Sequence, residues 1–128
     1  MDESGAQVVI DEGGMGVIKI SGDVVKIIAG LAATEIPGIA AMSGGLVGGI
    51  AEKLGRKNLS KGVKADVGEK EASIEMNVII EYGSQIHKVA KEIQSKVKAS
   101  VEDMTGLKVL NVNVNVQGVS FHMDKEEN

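Results

Sequence analysis

The chain holds two histidines, His87 and His122, and these are the first places to look for metal or proton chemistry. Neither has a His-x-x-x-His partner or a cluster of carboxylates beside it, so both read as surface side chains. Cysteine is absent, which excludes disulfides, thiol nucleophiles and thiolate-bound zinc. Serines are present but no Gly-x-Ser-x-Gly elbow surrounds one, and Ser21 and Ser84 sit where helix caps are expected. Glu75 and Glu81 fall on one face of an extended run. At ~3.4 Å per residue they stand about 20 Å apart, too far to share acid and base work. The sequence thus nominates no catalytic residue, no metal ligand and no cofactor site.

Two stretches are better suited to contact than to reaction. The first is glycine-rich: Gly44, Gly45, Leu46, Val47, Gly48 and Gly49. It lacks the Gly-Lys-Ser/Thr ending of a phosphate loop and the Gly-x-Gly-x-x-Gly order of a dinucleotide site. Gly45 to Gly48 does match the Gly-x-x-Gly by which KH domains clamp a nucleic-acid backbone, although Leu46 and Val47 stand where a basic residue is common. The second stretch is basic: Lys53, Arg56, Lys57, Lys61 and Lys64, with no acid between, on a chain of net charge −4. It reads either as a solvated loop or as a contact for an anion or an acidic partner. Aromatics are limited to Tyr82 and Phe121, which counts against base stacking.

These residues need a frame, and hydrophobic spacing supplies one. Length and apolar content suit a single α+β domain over residues 14–122. A flexible segment over residues 1–13 precedes it and an acidic tail over 123–128 follows it. Val17 to Ile20 read as a strand with Ile18 and Ile20 on one face. Ser21 then caps a helix over about residues 22–35, whose apolar positions are Val24, Ile27, Ile28, Leu31 and Ala32. Pro37 and Gly38 end it. Ile39 to Met42 form a short extended segment. Leu46, Val47, Ile50 and Leu54 suggest a short helix over 47–55.

Val63 to Val67 and Ile74 to Tyr82 alternate as an antiparallel hairpin. Ser84 is expected to cap a long helix with Ile86, Val89, Ala90, Ile93, Val97, Val101 and Met104 inward. In the last strand Leu110, Val112, Val114 and Val116 alternate with Asn111, Asn113, Asn115 and Gln117. Gly118 marks a change of phase, as a β-bulge would. The order is β-α-β-(short α)-β-β-α-β, with two main helices on one face of a mixed or mainly antiparallel sheet. The other face would show Glu75, Glu81 and the asparagines, as an open sheet face or an edge for strand addition.

Four stretches taken in order resemble a known family. They are Gly16 to Ser21 with Val24, Val25 and Ile28 to Ala33; Lys57 and Asn58 with Lys61, Gly62 and Val63; Val78 to Gly83 with Thr105, Gly106 and Leu107; and Val112 to Val119. Together they resemble the alkaline shock protein family, the Gls-type envelope stress response proteins of Gram-positive bacteria. The resemblance implies a non-enzymatic cytoplasmic protein, tied to envelope homeostasis, that brings no catalytic residue with it. It implies protein partners: a membrane-anchor protein, a lipid-synthesis enzyme, or another copy of the chain. It also implies membrane association only through such a partner. The glycine-rich stretch and Lys57 with Asn58 look closest to a branch linked to fatty-acid synthesis. Nucleic acid, through a KH-like loop, is the competing expectation.

Overall fold

The computed structural model of the protein describes residues 7–10, 14–42 and 61–121. The expected short helix over 47–55 lies outside the described residues, as do the glycine-rich stretch and His122.

Ser21 opens the first helix as its sequence suggests. Its hydroxyl accepts the N–H of Asp23 at 3.0 Å, and the Asp23 carboxylate sits in the first turn, where the helix dipole favours it. This helix, α1, spans Gly22–Thr34 and leads by a turn at Pro37 and Gly38 into β3, Ile39–Met42. Ahead of it β2, Ile18–Ser21, pairs antiparallel with β1, Gln7–Ile10. A strand therefore lies within the segment read as flexible.

Val63–Val67 form β4 and Glu71–Glu81 form β5, antiparallel in the expected hairpin. The second helix, α2, spans Ile86–Thr105, and β6 spans Lys108–Ser120. β6 runs parallel to β5, and α2 provides the long crossover that a parallel pair requires. β5 lies in the middle of this mixed sheet. β6 takes one of its edges, and β4 and β3 share the other, each antiparallel to it.

The core fills the space between this sheet and the two helices. β5 contributes Ala72, Ile74, Met76, Val78 and Ile80, alternate residues on one face. From α2 come Val89, Ile93, Val97 and Val101, one every fourth residue. α1 contributes Val25, Ile28, Ala29, Ala32 and Ala33, but not Val24 or Leu31, which are exposed. α1 is apolar on nearly every side, so spacing did not single out its inner face; small residues at Ala29, Ala32 and Ala33 mark where it packs against its neighbours. Ile86 and Met104, also expected inward, lie at the two ends of α2 and are exposed.

Both ends of α2 correct or extend the sequence reading. Its N-cap is Gln85, with no side-chain cap bond, rather than Ser84. The Ser84 N–H donates to the Glu81 carbonyl at 3.1 Å, so this serine belongs to the turn that leaves β5. At the other end Gly106 takes φ +78, a left-handed cap, and its N–H reaches the Glu102 carbonyl. Thr105 is buried beside it. Its hydroxyl donates to the Val101 carbonyl at 2.6 Å and accepts the Leu107 N–H at 3.1 Å. Thr105→Val keeps the shape and strands the Leu107 N–H. The expected loss is about 1–3 kcal/mol of unfolding free energy, read by urea denaturation.

Candidate functional site

β4, β5 and β6 present their polar residues on the sheet face away from the helices, and the register sets these in rows. Asp66, Ser73 and Asn111 lie across the three strands in one row; Lys64, Glu75 and Asn113 form the next. Asn77 and Asn115 continue the pattern. The first two rows line a shallow groove of about 350 Å³. Carboxamides hold the face in order. Asn115 donates through Nδ2 to Glu75 Oε2 and to Asn77 Oδ1, both at 2.9 Å. Gln117 Nε2 donates to the same Asn77 oxygen at 3.3 Å, and Asn113 Nδ2 to Asn111 Oδ1 at 3.4 Å.

The structure thus brings together two sets of residues that the sequence had nominated separately. Lys64, from the basic stretch, shares the groove with Asn111 and Asn113 from the last strand. Lys61 lies exposed in the turn before β4. Lys53, Arg56, Lys57, Gly44, Gly45, Gly48 and Gly49 lie outside the described residues. Sequence reasoning left Ser73, Asn77 and Asp66 out of the candidate set. Their parity with Glu75 and Lys64 was the available signal, because strand alternation puts them on the same face.

Two bulges adjust β6 along this face. Val78 and Ile79 pair with Val116 and Gly118, so Gln117 is an extra residue, and the phase change expected at Gly118 is present. A second shift lies between Ala72 and Ser73, which pair with Val109 and Asn111. It leaves Leu110 as the extra residue. Leu110 was expected inward, but it is 50% exposed, and Val109, at 3%, takes its place in the core.

At this second bulge α2 reaches over the rim. Glu102 Oε2 accepts the Val109 N–H at 2.9 Å, Lys98 Nζ donates to the Val109 carbonyl at 3.3 Å, and Gln94 Nε2 donates to the Val112 carbonyl at 3.0 Å. Lys98 and Glu102 also pair at 3.0 Å. These residues recur every fourth position beside the core stripe, a spacing that marks one side of a helix. The Val109 N–H, and then Lys98, hold the Glu102 carboxyl below its ordinary value of 4.5. A carboxyl lowered in the folded state stabilises above its unfolded value, and that contribution disappears as pH falls through the folded value. Glu102→Gln should therefore lower the urea midpoint at pH 7, and the gap from wild type should narrow toward pH 3.

His87 is exposed at the start of α2, and among the described residues no group of three or more histidines, aspartates or glutamates is arranged to hold a metal ion. Nor is any described helix long and apolar enough to cross a membrane. What the open face offers chemically is a set of donors and acceptors at strand spacing, fit for another polar surface.

Comparison with known proteins adds the family. The Bacillus subtilis protein YqhY, of uncharacterised function, is 32% identical over 113 residues, 88% of this chain and 84% of its own. A second uncharacterised B. subtilis protein, YloU, is 39% identical over 106 residues, 81% of this chain and 88% of its own. A Streptococcus pyogenes stress response regulator, a gls24 homologue, is 31% identical over 94 residues, covering 73% of this chain but 52% of the regulator. Among solved structures the MamM CTD aligns over 75% of this chain and 93% of its own at a TM-score of 0.46 and 14% identity, too distant to bear on function. A family model described as "Asp23 family, cell envelope-related function" matches residues 11–121. The chain belongs to that family, as the resemblance to alkaline shock and Gls-type proteins of Gram-positive bacteria implied.

Proposed function

We propose that the chain acts without catalysis, as an interaction and scaffold protein in cell-envelope stress response and homeostasis. The observation that carries this reading is the ordered polar face of β4, β5 and β6, where Lys64 and the carboxamides of Asn111 and Asn113 line one groove. A shallow, open surface held by its own hydrogen bonds suits a protein partner, because an exposed sheet face that stays flat presents many donors and acceptors at once. The family supports the envelope setting. On this reading the chain is cytoplasmic, and its partners are a membrane-anchor protein, which brings it to the membrane, or a lipid-synthesis enzyme, through which it bears on fatty-acid synthesis. The basic residues Lys53, Arg56, Lys57 and Lys61, together with Lys64 of the groove, provide contacts for an acidic surface.

A crosslinked pull-down of tagged protein from its native cells tests this reading. It compares wild type with a variant carrying Lys53→Glu, Arg56→Glu, Lys57→Glu and Lys61→Glu. Wild type should recover envelope or lipid-synthesis proteins, and the variant should lose those held by the basic stretch. Recovery of RNA in their place, lost in the variant, would overturn the reading in favour of nucleic-acid binding.

A further inference from the structure

The register sets two carboxylates and one ammonium in the groove of the polar face. Asp66 stands across from Ser73 and Lys64 across from Glu75, so Asp66 and Glu75 are diagonal neighbours. Positions on such a diagonal are about 7–8 Å apart, within joint reach of one group placed between them. Among the described residues none of Lys64, Asp66 and Glu75 has an ion pair, although Lys64 and Glu75 are directly opposed.

The reason lies on the other side of β5. Glu75 Oε2 accepts from Asn115 Nδ2 at 2.9 Å, which turns that carboxylate toward β6 and away from Lys64. Its second oxygen and both oxygens of the exposed Asp66 accept nothing from the described residues. Ser73 forms the floor between Asp66 and Asn111. Asn111 Oδ1 accepts the long 3.4 Å bond from Asn113 and has a lone pair to spare.

Acceptors thus converge over Ser73 from three strands that stand ~4.8 Å apart. A metal ion is poorly served, because among the described residues no group of three or more metal-binding side chains comes together. An ammonium is a compact point charge and favours one carboxylate at a time. A guanidinium is a flat plate with five N–H donors in a rigid fork, and it reaches several acceptors at once.

We propose that the groove takes an arginine side chain of the partner protein, its guanidinium over Ser73 between Asp66 and Glu75 with Asn111 Oδ1 at its rim. Arginine is among the residues enriched at interface centres. Lys64, left without an ion pair by the turn of Glu75, takes an acidic residue of the same partner. The inference rests on the reading of this face as the contact surface, and it adds the residue type that the face selects.

NMR titration of the isotope-labelled full chain with N-acetylarginine amide tests the groove, beside N-acetyllysine amide. The arginine amide should shift the backbone signals of Ser73, Asn111 and Asn113 saturably in the millimolar range, and the lysine amide should bind more weakly. Asp66→Asn should weaken arginine binding about tenfold, as the loss of one charge-assisted hydrogen bond does, and Glu75→Gln should act alike. Both changes keep side-chain shape, and the glutamine oxygen still accepts from Asn115. Absence of shifts in the groove, equal binding of the two amides, or binding that Asp66→Asn leaves unchanged would overturn the proposal. In native cells, Asp66→Asn should reduce what a photo-crosslinking residue at Asn113 captures. Capture unchanged by Asp66→Asn would overturn the arginine contact and leave the face as the contact surface. Arginine-amide shifts in the groove with no capture from Asn113 would overturn the partner reading, and the partner's arginine with it, and leave a site for a small guanidinium compound.

Discussion

Ile93→Ala should cost about 2–5 kcal/mol of unfolding free energy, against the ~5–15 kcal/mol that holds a domain of this size. Ile93 is fully buried at the middle of the α2 stripe, in one core cluster with the sheet residues Met76, Val78 and Ile80, which are themselves fully buried. The core has no tryptophan, and Tyr82 and Phe121 are both exposed. Branched aliphatic side chains therefore fill it. Removing three carbons at its centre loses apolar contact and leaves a cavity that a core rich in stiff, β-branched side chains cannot close. Urea denaturation followed by circular dichroism should show a lower midpoint with an unchanged slope. A loss below about 1 kcal/mol would mean that the helix and sheet collapse together, against the packing described here.

Gly38→Ala should cost a comparable amount, for a different reason. Gly38 takes φ +105, which L side chains rarely adopt, and a Cβ built there meets Val89 Cγ2 at 2.8 Å and Ser84 Oγ at 3.2 Å. Backbone strain of about 1–3 kcal/mol adds to overpacking of about 1–3 kcal/mol. The position is held because the Gly38 carbonyl accepts the Glu81 N–H at 2.8 Å, which ties the turn after α1 to the end of β5. The two contributions can be separated. Val89→Ala in the Gly38→Ala background removes the contact with Val89 but not the strain. The double variant should therefore be more stable than the sum of the single losses predicts, by a coupling of about 0.5–3 kcal/mol. Strict additivity would show that the methyl never meets Val89.

Why some of this was legible in the sequence, and some was not, comes down to which residues leave a local mark. The β4–β5 hairpin and α2 were readable because alternation and fourfold spacing run without interruption. The bulge near Gly118 was readable because a glycine coincides with a change of parity. The bulge at Leu110 has no such marker, so Leu110 was turned inward and Val109 outward. Ser84 has the right chemistry for a cap but lies one residue early, held by the turn from β5. The parallel direction of β6 and the pairing of Gln7–Ile10 depend on where the chain returns, which no local pattern records. The candidate face was half legible. Asn111, Asn113, Asn115 and Gln117 announced themselves by repetition. Only the register between strands brings Lys64, Glu75 and Asn113 into one row.

The central claim is that the chain works by contact through the face that row belongs to. The most direct test is a photo-crosslinking amino acid placed at Asn113 in living cells of the native organism, with the same group at Glu92 on α2 as the control. A discrete set of envelope or lipid-synthesis proteins should be captured from Asn113 and be absent from Glu92. The same proteins captured from Glu92 and not from Asn113 would contradict it.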